Sequence, residues 1–175
     1  MYRHAAAAQS VDQRITAGIL ATGGDAFVSH RLALSIHPLP NFSCSLVELT
    51  ARGTALPLRN GIVVHRSRTV GNADVMRRGG WWITTPERSL VDAASVMEPS
   101  VVARYAQQWA ATKVITLDRL EASIERAGKH RGALLLRRAL AGTELIEADS
   151  ATNSKRTAGA SSTSRLGRSA QHPTD

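Results

Sequence analysis

The sequence predicts an α+β fold, with a small mixed sheet of about three strands, several packed helices and a disordered C-terminal tail. Three observations point there. Short β-branched or aromatic runs, "CSLVELT" (44–50), "GIVVHRS" (61–67) and "WWIT" (81–84), cluster in the middle of the chain. Helical spacing dominates the residues after them, a segregated order that suits α+β rather than alternating α/β. Beyond Asp149 the chain is Ser, Thr, Ala, Gly and Arg with almost no large apolar residue. Such a segment cannot bury enough surface to offset the entropy of ordering.

The first element is a helix. Ser10 and Gln13 have the spacing of a capping box, Ile15, Ile19 and Leu20 form its apolar face, and Gly23-Gly24 end it. "AFVSHRLALSI" reads as a short strand or tight connection into a second helix starting near Ser29, stopped by Pro38 and Pro40. The three strands come next, of which "GIVVHRS" is a buried apolar run after a Gly turn.

The stretch "WWITTPERSLVDAA" is a strand feeding a helix. Trp81 and Trp82 point to opposite faces of the strand. Thr84 or Thr85 caps the helix, Pro86 falls in its first turn, and Thr84 to Glu87 fits a capping box. Leu90, Val91, Ala94 and Met97 keep helical spacing up to Pro99. Arg88 and Asp92 are four apart and pair on the helix surface, for a few tenths of a kcal/mol (~0.3). Three more helices complete the series: about Ser100 to Ala111 with Val101, Val102, Tyr105 and Trp109 on one face; one capped by Thr116 with Leu117, Leu120 and Ile124 inward; and one between Gly132 and Ala141.

Composition narrows the function. The 175 residues carry a formal net charge of +8, almost all of it as Arg, with Lys only at 113, 129 and 155. A polyanionic partner, DNA first, would suit that charge; a GC-rich genome would also favour Arg and Ala codons. Cys44 is the only cysteine, so no intrachain disulfide forms, which fits a cytoplasmic protein. No run reaches the ~18 apolar residues of a membrane span.

Catalytic arrangements are missing. There is no Gly-rich phosphate loop, no HExxH pair and no cysteine-based zinc spacing, so neither metal nor cofactor is expected. Glu48 is followed by Leu49 and Thr50, which lacks the acid–x–Lys step of a restriction-type nuclease. Ser29-His30 and His65-Arg66 read as isolated pairs. The basic residues are the stronger lead: Arg126, Lys129, His130, Arg131, Arg137 and Arg138 around the last two helices, and Arg77-Arg78 before the tryptophans. Arg131 and Arg138 share a helix face. Such surfaces bind duplex non-specifically, with Kd on the order of 10⁻⁴ to 10⁻⁶ M, or serve only as a solvated face. No base-reading helix is identifiable, and the aromatic interleaving of a single-strand binder is absent.

Taken in order, "FVSHRLAL", "GIVVHRSR", "WITTPERSLVDAA" and "ATKVITLDRLEASIERAGKHRGALLLRRAL" resemble the middle part of AbiEi-type antitoxin-domain proteins, abundant in actinobacteria. The matching steps are Ser29-His30, then Val64-His65-Arg66-Ser67, then Thr85-Pro86-x-Arg88-Ser89-Leu90-x-Asp92. The resemblance implies a non-enzymatic antitoxin of a type IV system, linked in function to a nucleotidyltransferase-like toxin without a stable complex. It implies an α/β antitoxin-like region over residues 10–145, with Ser29, His30, His65, Arg66, Thr85, Pro86, Arg88 and Asp92 at its motif junction.

The family's winged helix and its Vsr-like nuclease domain have no counterpart here, which makes the chain a truncated member. Residues 1–9 then read as a wing remnant or leader, and 146–175 as the disordered tail. The competing readings are an inactive remnant of an endonuclease-domain protein and a small basic DNA-binding regulator. The candidate nucleic-acid contacts of the chain are Arg77, Arg78, Lys129, Arg131, Arg137 and Arg138.

Overall fold

The computed structural model describes residues 10–38, 42–52 and 61–142. The expected wing remnant or leader (1–9) and C-terminal tail lie outside them. Within them the fold is α+β, as the segregated order of elements predicts, but the mixed sheet has five strands rather than three.

Helix α1 (Val11–Ala21) begins at Ser10, whose hydroxyl accepts from the Gln13 N–H while the Gln13 side chain accepts from the Ser10 N–H. This is the predicted capping box. Its inward face differs from the expectation: Ile15 and Gly18 are buried, whereas Leu20 is exposed. A Cβ on Gly18 would stand 2.7 Å from a Leu49 methyl, so glycine is what lets this helix lie so close to the sheet. Strand β1 (Ala26–Val28) leads directly into α2 (His30–Ile36). Then come β2 (Val47–Ala51), β3 (Ile62–Arg66), β4 (Val75–Arg78) and β5 (Trp81–Thr84).

The strands lie in the order β3-β2-β1-β5-β4. β1 and β2 are antiparallel, as are β4 and β5; β2 with β3 and β1 with β5 are parallel. β4 and β5 form a hairpin through Gly79 and Gly80, both at positive φ (57° and 89°). A two-residue loop with both residues in that region matches the twist of the strands it joins.

One sheet face is apolar: Val28, Val47, Leu49 and Ile83 form a core with Ile15 of α1 and Leu32 and Ala33 of α2. Trp81 packs at the edge of this cluster, while Trp82 stays 47% exposed, the two-sided arrangement expected of neighbours in a strand.

After β5 the chain turns into α3 (Pro86–Ala93). Thr85, not Thr84, is the cap, accepting from the Arg88 N–H with Pro86 in the first turn. The Thr84–Glu87 capping box is not formed, because Thr84 belongs to the strand and its buried hydroxyl bonds Ser89 instead. Pro99 opens α4 (Pro99–Ala111) rather than simply closing α3. α5 (Leu117–Ala127) is capped by Thr116, with Leu120 and Ile124 inward but Leu117 exposed. A sixth helix, α6, covers residues 131–142.

α3, α4, α5 and α6 share a second core around Leu90, Val91, Trp109, Ile124 and Leu136. A Cβ on Gly132 would overlap the Val91 carbonyl, so this glycine permits the docking of α6 on α3. No helix among the described residues is long and apolar enough to cross a membrane.

Candidate functional site

Two polar networks meet at the junction of sheet and helices, near the start of α2, the end of β3 and the start of α3. The first centres on Glu48, whose side chain is fully buried on β2. Its carboxylate accepts from the Arg31 backbone N–H (2.8 Å), from Arg31 Nε (3.1 Å) and from Arg31 Nη2 (2.9 Å). His65 Nε2 stands 3.4 Å from the same carboxylate. The His65 ring stacks on His30 at 3.6 Å between centroids. His30 Nδ1 shares a 2.9 Å hydrogen bond with the Ser29 hydroxyl, which also accepts from Thr50 at 2.7 Å.

His30 opens α2 with φ +53°. A left-handed backbone at a residue with a Cβ costs about 1–3 kcal/mol, and it persists only where the surroundings hold it. Here the stack on His65 and the bond to Ser29 do so.

The second network centres on Arg88. Its Nε donates to Asp92 Oδ1 at 2.9 Å, and its Nη2 reaches Ser67 and Thr69 just after β3, at 3.5 and 3.4 Å. Its Nη1 lies 3.7 Å from Asp74. Asp74 in turn accepts two bonds from Arg126 of α5, at 3.0 and 2.9 Å, and one from the Gly71 N–H. The segment between β3 and β4 is thereby tied to both α3 and α5.

Arg88 and Asp92 therefore do not form the surface pair expected from their spacing. Both side chains are sealed, at 0% and 2% exposure. α3 is buried from Glu87 to Ala93, so its polar side faces inward to the loop after β3. Arg88 Nη1 and Asp92 Oδ2 have no hydrogen bond. Nor are Ser29-His30 and His65 isolated, since the fold stacks their rings. Arg66 is the exception within the motif: it is exposed at the end of β3 and joins neither network. Pro86 acts only through the helix start.

The basic residues fare differently. Lys129, Arg131, Arg137 and Arg138 are all exposed, as are Arg77 and Arg78. Arg126 is held by Asp74 and is less available than its neighbours. Ring–guanidinium contacts that the sequence order hides form in space, although of the two rings involved only Trp82 is exposed. Phe27 and Trp82 come from separate strands, with Arg52 6.0 Å from the first ring and Arg77 5.4 Å from the second. Sequence reading misses this because the two residues come to lie on one sheet face only through the β1–β5 pairing. Among the described residues no group of three or more His, Cys, Asp or Glu could hold a metal ion.

Burial dominates the titration of these groups. It lowers His30 well below the ordinary histidine value, with the positive charge of His65, His130 and Arg88 adding to the effect and Glu48 opposing it. It also lowers His37, although the Thr84 carbonyl accepts from that ring, and His130. Burial pushes Asp92 up to about 6 against the pull of Arg88. It would raise Glu48 too, but the hydrogen bonds from His65 and Arg31 and the charges of His30 and Arg31 outweigh it and hold Glu48 at about 2.

The signs set a stability profile. The three histidines bind protons more readily unfolded than folded, so each costs stability as pH falls below about 6.5. Asp92 works the other way: its folded value exceeds its unfolded one, so it adds stability as pH falls through about 6. Three groups oppose one, and the expected result is a lower melting temperature at pH 5 than at pH 7.5. Below the ordinary carboxylate value Glu48 joins the loss, since its ionised form is favoured in the fold down to about 2. His30→Asn, which tolerates positive φ, should flatten the decline between pH 7.5 and 5. A melting temperature that rises across that interval would refute the assignment.

Compared with protein-family models, with curated proteins and with solved structures, the chain gives no significant match.

Proposed function

We propose that this chain is a non-enzymatic, antitoxin-like protein of the type IV kind, working in the cytoplasm. It acts with a nucleotidyltransferase-like toxin without a stable complex and touches DNA through exposed arginines. One observation supports this most. Of the residues on which the resemblance to AbiEi-type proteins rests, Ser29, His30, His65, Ser67, Arg88 and Asp92 converge on two adjoining networks, while Arg66 stays outside them and Thr85 and Pro86 serve the start of α3. A motif scattered along the chain thus behaves as one physical unit.

The burial of that unit favours a non-enzymatic role. Ser29, His30, Glu48, Arg88 and Asp92 are buried, and their polar contacts run to other side chains of the same two networks, Arg31, Thr50, His65, Ser67 and Thr69 among them. A substrate would have to break charged hydrogen bonds to reach them, at about 1.5–3 kcal/mol each.

Co-expression tests the proposal. An antitoxin-like chain restores growth to cells expressing a nucleotidyltransferase-like toxin encoded beside it. The exposure of Arg131, Arg137 and Arg138 favours a second reading, a small basic DNA-binding regulator. Such a regulator retards its own promoter fragment more than random DNA at equal salt; an inactive remnant does neither. In either active case Arg131→Glu with Arg138→Glu should reduce the slope of log K against log salt by about 2, one per lost phosphate contact. An unchanged slope would show that duplex DNA is held elsewhere.

A further inference from the structure

One transverse row of side chains crosses the sheet on the face opposite the apolar core. Pairing places His65 beside Thr50, Thr50 beside Phe27, and Trp82 beside Arg77. The Val28–Ile83 pair puts Phe27 next to Trp82, one step back along both strands. At the β3 end this row lies against His30. At the β4 end it opens into a cleft of about 430 Å³, lined by Asp25, Phe27, Arg52, Asn72, Val75 and Trp82 among others.

We propose that this cleft binds a nucleobase carrying phosphate, stacked on Trp82, as a unit of single-stranded nucleic acid. The proposal deepens the nucleic-acid contact suggested above and rests on it, but it names a different surface and a different strand state. The volume suits one nucleotide. Trp82 leaves nearly half of its surface in solvent, and the Arg77 guanidinium already lies over its ring. Aromatic rings flanked by guanidinium groups are the chemistry that takes unpaired bases and their phosphates.

Arg52 is positioned for such a role: its Nη2 donates to Asn72 Oδ1 at 3.3 Å, holding it at the cleft wall. Arg77 carries the positive charge on to the outer strand, whereas Arg78 pairs with Trp81 and belongs to the opposite face. Asp25 is the acid among the lining residues. It repels phosphate but accepts from an exocyclic amino group, which favours cytosine over thymine. A base inside a duplex is stacked on both faces and has none to offer Trp82, so duplex DNA is left to Arg131 and Arg138.

The test is fluorescence anisotropy of the full chain with labelled dC12, dT12 and a 12-base-pair duplex. Trp82→Ala should weaken dC12 binding by roughly ten- to a hundredfold, the range of a lost base–aromatic stack. Trp82→Phe should recover most of that loss, and duplex binding should not change. Matched melting curves show whether each variant is folded. Competition by CMP separates two sources of the same chemistry: displacement of dC12 assigns free nucleotide as well, whereas no displacement confines the site to the strand. Equal binding of dC12 and dT12 would remove the role given to Asp25. The proposal is overturned if wild type does not bind dC12 at low salt. It is also overturned if Trp82→Ala binds dC12 like wild type, or if it loses duplex and single strand alike. The wider electrostatic reading fails separately, when Arg131→Glu with Arg138→Glu leaves duplex binding intact.

Discussion

Arg88→Ala should cost about 3–5 kcal/mol of folding stability, the range found when one partner of a buried ion pair is removed. Arg88 is fully buried and faces two acids, Asp92 at 2.9 Å and Asp74 at 3.7 Å. Truncation leaves Asp92 without its hydrogen-bond donor in a site that already resists its charge. It also frees Ser67 and Thr69, and with them the chain after β3. Arg126 limits the damage at Asp74, since it still donates two bonds there. Arg88→Lys should recover little, because an ammonium cannot reproduce the planar fork that reaches Asp92 and Ser67 together. Arg66→Ala is the control: it changes an exposed motif residue and should fall within about 0.5 kcal/mol of wild type. Urea unfolding of the three variants measures this. Equal midpoints for Arg88→Ala and Arg66→Ala would show that the buried network does not hold the fold.

Trp109→Ala should be comparably severe, at about 3–5 kcal/mol for a buried Trp truncated to Ala. Trp109 is the largest fully buried side chain among the described residues. It fills the centre of the core shared by α3 to α6. It also links that core to the sheet layer: its indole N–H donates to the Pro38 carbonyl at 2.9 Å, and its ring meets His37 edge-on at 5.9 Å. His37 then donates to the Thr84 carbonyl at the end of β5. Losing Trp109 therefore opens a cavity and loosens the docking of the helices on the sheet. Trp109→Phe should recover most of the packing but not the bond to Pro38. A loss below about 1 kcal/mol for Trp109→Ala would mean that the surrounding helices collapse into the space.

Much of the fold is legible in the sequence because its signals are local. The Ser10–Gln13 box, the Thr116 cap, and the passage from "AFV" into α2 all depend on neighbours in sequence. β4 escapes the sequence reading although a local signal exists: Gly79-Gly80 lies between two four-residue strands, a hairpin signature that the charge of Arg77-Arg78 obscures. The burial of Arg88 and Asp92 is not legible. Spacing by four says that two side chains share a helix face, and it is silent on what that face meets. Here it meets the segment after β3, some twenty residues away in sequence. In sequence Glu48 reads only as part of a nuclease step that is not completed, whereas its partners are Arg31 and His65 from two other elements. The aromatic cleft likewise exists only once β1 pairs with β5.

The central claim is that the motif residues hold the junction of sheet and helices, while activity belongs to exposed surfaces. Growth rescue by His65→Gln, compared with wild type at matched expression beside the toxin, tests it most directly. Gln can still donate to Glu48, and His65 is only partly buried, so the variant should fold. Equal rescue by both chains is the expected result. Rescue by wild type but not by a folded His65→Gln chain would contradict the claim and make the stacked histidines themselves the working site.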